Sequence, residues 1–295
     1  MKRSNFMSLV TLKEILSSSI DEKYAIGGFV TFDYSSTEAI IKAAETVNGK
    51  AIVMIPWGLV ADRNNREQYI RNTRNMLEES STTFALHLDH GASFEECMLA
   101  IHSGFSSVMY DGSALPFEEN IRNTLKVVEA AHACGVSVEA EIGHVGGAEG
   151  GALIAEGLSA DTSLYTTVEE AVQFAQATGV DALAVAVGTV HGIIKGEPHI
   201  DLQRLSDIRS ALDIPLVLHG GSGLDDETFR STVRNGINKI NYFTEMSLTA
   251  SNAVKDFIRE KGDAPIHMME ITARAYGALE KLIEKQIRVF RQENV

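Results

Sequence analysis

Three histidines in this chain each end an apolar run and are followed at once by glycine. His90 closes Phe84-Ala-Leu-His-Leu-Asp-His-Gly91, His191 closes Ala182-Leu-Ala-Val-Ala-Val-Gly-Thr-Val-His-Gly192, and His219 follows Ile214-Pro-Leu-Val-Leu218, with Gly-Gly-Ser-Gly223 after it. Any one of them alone reads as a histidine capping a strand or bonding a carbonyl. Three at equivalent ends of separate strands make a cation cage with an open position. Imidazole suits zinc, and the glycines let backbone crowd the site. Acids stand beside them. Asp89 precedes His90, and strand alternation puts it on the same side as His87. It could orient a ligand histidine, or act as a general acid/base facing a bound substrate; its place next to a ligand favours the second. Asp111, opening Asp-Gly-Ser113, and Glu141, on the same strand face as Glu139, have two readings that stay open. They are carboxylates paired with a cation, or a second resting position for a metal.

Three backbone-rich stretches suit a phosphate. They are Gly192 with Lys195, Gly220-Gly221-Ser222-Gly223, and Asn241-Tyr-Phe-Thr244-Glu245. A glycine-rich turn alone could be a mere flexible connection. The latter two, however, follow the seventh and eighth apolar runs, where β/α barrels most often bind phosphate through loop N–H groups and a helix N-terminus.

The elements that must carry these residues alternate in type. Strands are expected at Tyr24–Val30, Ala51–Pro56, Thr83–Asp89, Ser106–Asp111, Val136–Ile142, Ala182–Val187, Pro215–His219 and Ile237–Asn241. Amphipathic helices are expected between them, at Ser36–Val47, Phe94–His102, Glu118–Ala133, Val168–Thr178 and Asp226–Asn235. Eight strand–helix units favour a closed α/β barrel, a (β/α)8 TIM barrel, as one domain over residues 1–295. A doubly wound sheet is the alternative, but it gives no reason to gather polar residues at so many strand ends around one mouth. Gly143–Thr166 is long, glycine-rich and without helical period, which suits a loop over the site. The final amphipathic stretch, Ile271–Phe290, exceeds the eight units and is expected to be an additional C-terminal helix on the barrel's outside or on a neighbouring chain.

Composition narrows the function classes. With 44% hydrophobic residues the chain can bury a large core, and a mean hydropathy near zero argues against a membrane protein. A formal charge of −14 does not suit nucleic acid, so a phosphate must be captured locally against the overall field. Cys97 and Cys134 lack metal spacing and are expected to be buried thiols. The first residues show no sustained apolar segment, so a cytoplasmic location is expected.

The motifs His-Leu-Asp-His-Gly, Glu-Ala-Glu-Ile-Gly-His-Val-Gly-Gly-Ala-Glu, Val-Gly-Thr-Val-His-Gly, Leu-Val-Leu-His-Gly-Gly-Ser-Gly and Lys-Ile-Asn-x-x-Thr-Glu together resemble the class II ketose-bisphosphate aldolases. The resemblance runs from about Thr11 to Phe290, in order and with similar spacing. It implies a zinc-dependent carbon–carbon lyase with His90, His191 and His219 as zinc ligands and Asp89 as the acid/base. Asp111 and Glu141 would serve a second or displaced metal. Gly192, Gly220, Gly221, Ser222, Asn241 and Thr244 would grip a dihydroxyacetone phosphate unit, with Lys195 near its phosphate. Asn241 would also hydrogen-bond the enediolate. It further implies a monovalent cation (Na+ or K+) near the carbonyls of Val190 and Gly220, and a proton-moving role for Glu149.

The chain departs from the family at the ends of strands one and two, where Phe29-Val-Thr-Phe-Asp-Tyr-Ser35 and Ile55-Pro-Trp57 replace the usual polar residues. His144 also stands before the double glycine. Trp57, Phe32 and Tyr34 are expected to wall the aldehyde half of the substrate. Arg274 is only a candidate for a distal phosphate, so a less charged aldehyde is expected. The expected partner is a small sugar phosphate, with a homodimer or homotetramer as the assembly. A metal-dependent hydrolase and a silent sugar-phosphate-binding protein are the readings from other classes.

Overall fold

A computed structural model describes residues 8–143, 145, 154–155, 164–194 and 200–294. In chain order its strands are β1 (Ile26–Val30), β2 (Ala51–Pro56), β3 (Phe84–Gly91), β4 (Ser107–Tyr110), β5 (Ser137–Ile142), β6 (Ile154–Ala155), β7 (Ala182–Val185), β8 (Ile193–Ile194), β9 (Leu216–Leu218) and β10 (Ile237–Tyr242). Eight of them close a parallel barrel, and β6 and β8 form a separate two-stranded sheet. Closure comes from β10 returning to β1, with Ile26 opposite Lys239 and Phe29 opposite Tyr242. This excludes the doubly wound sheet. All eight expected strands are present, with ends displaced by a few residues.

Alternation along the strands sorts side chains into two cores. Outward residues such as Phe29, Val53, Leu86, Val108, Val138, Leu183, Leu218 and Ile240 pack under the helices. Inward residues Ile26, Val30, Ile52, Met54, Ala85, Ala182, Ala184 and Val217 fill the barrel. Leu12, Ile15 and Leu16 complete that inner cluster, all buried. They lie on a short helix, Leu12–Leu16, whose first turn is fixed by a reciprocal cap between Thr11 and Glu14. Its Lys13 N–H reaches Ser137 Oγ at the start of β5, so this helix plugs the N-terminal end of the barrel. The inner positions nearest the other end are polar instead: His87, Asp89, Glu139, Glu141, His219, Lys239 and Asn241 are all buried.

The helices are positioned by capping side chains. Asp33, Ser93, Thr167, Asp201 and Asp225 each accept a hydrogen bond from the first turn of the helix they precede. The C-terminal helix runs Met268–Phe290 and lies on the outside of the barrel, against helices Tyr34–Thr46 and Asp226–Arg234. It therefore completes the ring. Helix Thr244–Lys261, packed against it, is the long helix outside that ring. Among the described residues no helix is long and apolar enough to cross a membrane.

One expectation on the thiols needs correction. Cys97 is buried, and burial pushes its thiol up to about 12, so it stays protonated. Cys134 is exposed, because it is the residue at which helix Phe117–Ala133 ends and it points away from the barrel.

Phe290 shows what holds the ring closed. It is fully buried among Phe29, Phe229 and Tyr242, with ring centroids 6.5, 5.1 and 6.2 Å away. Phe290→Ala should cost about 3–5 kcal/mol of stability, the usual range for emptying a buried aromatic site. Urea denaturation measures it, and a loss below about 1 kcal/mol would show that the C-terminal helix is not part of the barrel's core.

Candidate active site

The three histidines converge at the C-terminal mouth. The ligand-capable atoms of His90, His191 and His219 all lie within 4.8 Å of one another. His219 follows β9 directly, whereas His191 lies six residues beyond β7, after a turn with Gly188 at φ 110°. His90 needs a device. Strict alternation from His87 and Asp89 would turn it outward. A register shift in β3 between Leu88 and Gly91, with His90 at φ 46°, swings it back over the mouth. Gly91 is required there, since a Cβ would meet Met109 O at 2.7 Å.

Each imidazole is held from behind by a carboxylate or lies ready for a cation. His90 Nδ1 is 2.7 Å from Asp111 Oδ2, and Asp111 is fixed in turn by the N–H and hydroxyl of Ser113. Burial alone would raise the Asp111 carboxyl, but the His90 and Ser113 hydrogen bonds hold it well below the usual carboxylate range. His191 Nε2 is buried with no hydrogen-bond partner. Burial, with His219 and His90 close by, drops this imidazole to about 3, so it is neutral with a lone pair to give. His219 lies between two carboxylates, Nε2 being 2.9 Å from Glu139 Oε1 and Nδ1 3.0 Å from Glu141 Oε2. Burial pulls its pKa down, yet those two partners outweigh burial and lift it to about 9. His90, Asp111 and Glu141 form a second group within 4.8 Å. Three imidazoles plus two acids, with His191 Nε2 buried and without a hydrogen bond, fit a divalent cation in either of two neighbouring positions.

Asp89 is fully buried beside this cage. Its Oδ1 accepts 2.9 Å from Asn241 Nδ2, and its Oδ2 has no hydrogen-bond partner. Burial raises its carboxyl, but His90, Lys239, His219 and His87 together hold it below the ordinary value, so it is ionised at neutral pH. Gly28 lets this pair form, since a Cβ there would lie 3.2 Å from Asn241 Oδ1 and 2.6 Å from the Met54 sulfur.

The expected phosphate residues lie on adjacent elements. Gly220, Gly221 and Ser222 follow β9, Asn241 is on β10, and Thr244 opens helix Thr244–Lys261, whose first turn has no side-chain cap. Gly220 sits at φ 66° directly against the Val190 peptide, where a Cβ would be 2.5 Å from its carbonyl. That brings together the two residues expected near a monovalent cation. Gly192 follows His191 at φ 96°. Lys195, Glu149 and His144 lie outside the described residues, as does most of the expected loop Gly143–Thr166 and His199.

The aldehyde wall differs from expectation. Trp57 is 7% exposed and packs into the outer core, with the Arg66 guanidinium 4.8 Å above its ring. The chain turns into a short helix at Trp57, which carries the indole outward, and Leu59 packs on the inner cluster instead. Phe243 does the same from the end of β10. Phe32 packs on the outer core, and Tyr34 is 40% exposed against Tyr69. Arg274 lies over Phe257 and near Glu260, between the last two helices rather than at the mouth.

Sequence reading missed one residue of the site. Lys239 is fully buried and donates 2.7 Å to Glu139 Oε2. Its signal was available, since a lysine two positions before Asn241 on an apolar strand must share the inward face. His132, by contrast, bonds Asp181 on the outside, as a structural histidine should.

Comparison with known proteins agrees with this geometry. A family model described as fructose-bisphosphate aldolase class-II matches residues 10–295. A fructose-bisphosphate aldolase from Geobacillus stearothermophilus is 41% identical over 85% of this chain and 86% of that protein. A probable fructose-bisphosphate aldolase of Bacillus subtilis is 40% identical over 87% and 89%. Among solved structures, the YdjI aldolase from Escherichia coli K12 superposes with a TM-score of 0.82 at 30% identity, covering 96% of this chain and 97% of that one. On the strength of that whole-length match, the chain belongs to the class II fructose-bisphosphate aldolase family.

Proposed function

We propose that this protein is a zinc-dependent aldolase that cleaves a ketose 1-phosphate between C3 and C4, and forms that bond in reverse. The observation that carries the reading is the Asp89 carboxylate, ionised, buried, anchored through one oxygen and open at the other, beside three converging imidazoles. His90, His191 and His219 are assigned as the zinc ligands, with Asp111 and Glu141 as the second metal position. When bound there, zinc would supply a Lewis acid for the substrate's C2 carbonyl region, worth several kcal/mol of charge stabilisation.

The chain's own residues do the rest. Asp89 Oδ2 takes the C4 hydroxyl proton as the C3–C4 bond breaks, C4 becomes the aldehyde carbonyl, and the bonding pair passes to C3 and into an enediolate. In synthesis Asp89 returns that proton. Asn241 holds Asp89 through one N–H, and its second N–H, on the nitrogen 3.2 Å from His219, would donate to an enediolate oxygen. Gly192, Gly220, Gly221, Ser222 and Thr244 offer backbone and hydroxyl groups to the phosphate, and the uncapped helix start adds its dipole. Lys195 beside the phosphate, Glu149 as the group that moves the C3 proton, and a monovalent cation at Val190 and Gly220 rest on the family resemblance. The expected homodimer or homotetramer has a candidate face in Ile258, Met268 and Met269, exposed at the adjoining ends of the last two helices.

Asp89→Ala should leave metal content intact and lower turnover by about 10²–10⁴-fold. Coupled assay of dihydroxyacetone phosphate release alongside metal analysis decides it, and near-normal cleavage removes Asp89 from the reaction.

For the aldehyde half, we propose a partner less charged than glyceraldehyde 3-phosphate, although the curated relatives are named for fructose bisphosphate. Leu59 and Phe243 present apolar surface beside the mouth, and Arg274, the candidate for a second phosphate, lies elsewhere. A dianion there would lack a bidentate guanidinium. Steady-state kinetics on matched ketose 1-phosphates should show kcat/KM at least equal to that for fructose or tagatose 1,6-bisphosphate. A clear preference for a bisphosphate overturns this part of the reading.

A further inference from the structure

Below the mouth, three ionisable side chains without exposed surface connect β3, β5 and β10. Lys239 Nζ is 2.7 Å from Glu139 Oε2 and 3.4 Å from His87 Nε2, while Glu139 Oε1 is 2.9 Å from His219 Nε2. All four residues are fully buried. Donor and acceptor types then leave one arrangement. An ammonium has only donors, so it must face acceptors: Glu139 Oε2 and the lone pair of His87 Nε2. His87 therefore carries its proton on Nδ1 and donates to Ser107 Oγ, 2.9 Å away, and burial keeps this imidazole neutral by lowering it to about 3. A carboxylate offers only acceptors, so the His219 nitrogen facing Glu139 is an N–H, and Asn241 Nδ2, 3.2 Å from it, packs there without donating. Nδ1 of His219 faces Glu141 Oε2 at 3.0 Å and gives up its proton when a cation takes that place.

We infer that Glu139, held in place by Lys239, is the positioning residue that sets the tautomer of His219, directing its Nδ1 lone pair at the cation site. The inference rests on His219 being a ligand, and goes beyond it by naming what orients that ligand and why the barrel keeps a lysine at its centre. Carboxylates behind ligand imidazoles do this work in other metal sites, and losing one commonly weakens metal binding by about 10–100-fold. Here the carboxylate is fully buried, and Lys239 holds its other oxygen.

The donor logic gives a test in two variants. In Glu139→Gln the amide oxygen must face the Lys239 ammonium, which leaves its NH2 facing His219 Nε2. That nitrogen would have to accept, the proton would move to Nδ1, and the ligand lone pair would be lost. Adding Lys239→Met frees the amide to turn its oxygen to His219 and its NH2 toward His87 Nε2, which lies 3.6 Å from Glu139 Oε2. Zinc affinity, measured by competition with a chromophoric chelator on protein shown folded by circular dichroism, should fall about 10–100-fold in Glu139→Gln. It should recover most of that loss in the double variant. Wild-type affinity in a folded Glu139→Gln, or a double variant that binds no better than the single one, overturns the inference. Ring-nitrogen NMR of the zinc-loaded wild type needs no variant, and a proton found on Nδ1 of His219 also overturns it. His219→Ala separates the two layers. If that variant keeps its zinc, the ligand assignment itself fails; if it loses zinc while Glu139→Gln does not, only the positioning role fails.

Discussion

A lysine and a glutamate locked together in the dry centre of the barrel are the constraint on which the mouth depends. Removing either charge from water is expensive, by several kcal/mol per ion even after relaxation, and only close pairing with satisfied hydrogen bonds compensates. Lys239 and Glu139 meet that condition at 2.7 Å. Their remaining contacts are fixed by the same need. His87 takes the ammonium and passes a hydrogen bond to Ser107, and His219 takes the second carboxylate oxygen. Burial therefore turns a set of polar side chains into an ordered scaffold, and that scaffold ends at the proposed cation site.

The inner surface of the barrel is graded as a result. At the N-terminal end, Leu12, Ile15 and Leu16 close it with apolar side chains. Midway come paired charges, and at the mouth come groups with unused hydrogen-bonding capacity: His191 Nε2, Asp89 Oδ2, Asn241 Oδ1. Buried polar atoms of this kind are rare in protein interiors unless a ligand or ion uses them. Water is kept from below by the plug and the hydrophobic layer, which strengthens every electrostatic interaction above it. The left-handed backbone at His90 fits the same design, since a non-glycine residue held there costs on the order of 1–3 kcal/mol and persists only where surrounding structure imposes it.

Much of this was legible in the sequence. Short apolar runs mark the eight strands, and the parallel barrel follows from their alternation with helices. The three histidines were visible because each ends a run, and Asp89 because it adjoins one of them. Less legible was anything that depends on contacts between distant strands. The partner of Lys239 emerges only once β10 is placed across the barrel from Glu139 on β5. Trp57 was read as mouth-facing because it ends β2, but the chain turns into a helix at that residue and the indole moves to the outer core. Which C-terminal helix closes the ring also turned on packing, since both are amphipathic and only the contacts of Met268–Phe290 with the first and seventh ring helices settle it.

The central claim is that His90, His191 and His219 together hold the catalytic zinc, and the most direct measurement is X-ray absorption at the zinc K-edge of the protein loaded with one equivalent. The account predicts a shell of nitrogen and oxygen at about 2.0–2.1 Å with the outer-shell scattering of three imidazoles. A shell with one imidazole or none, or with sulfur at about 2.3 Å, would contradict it.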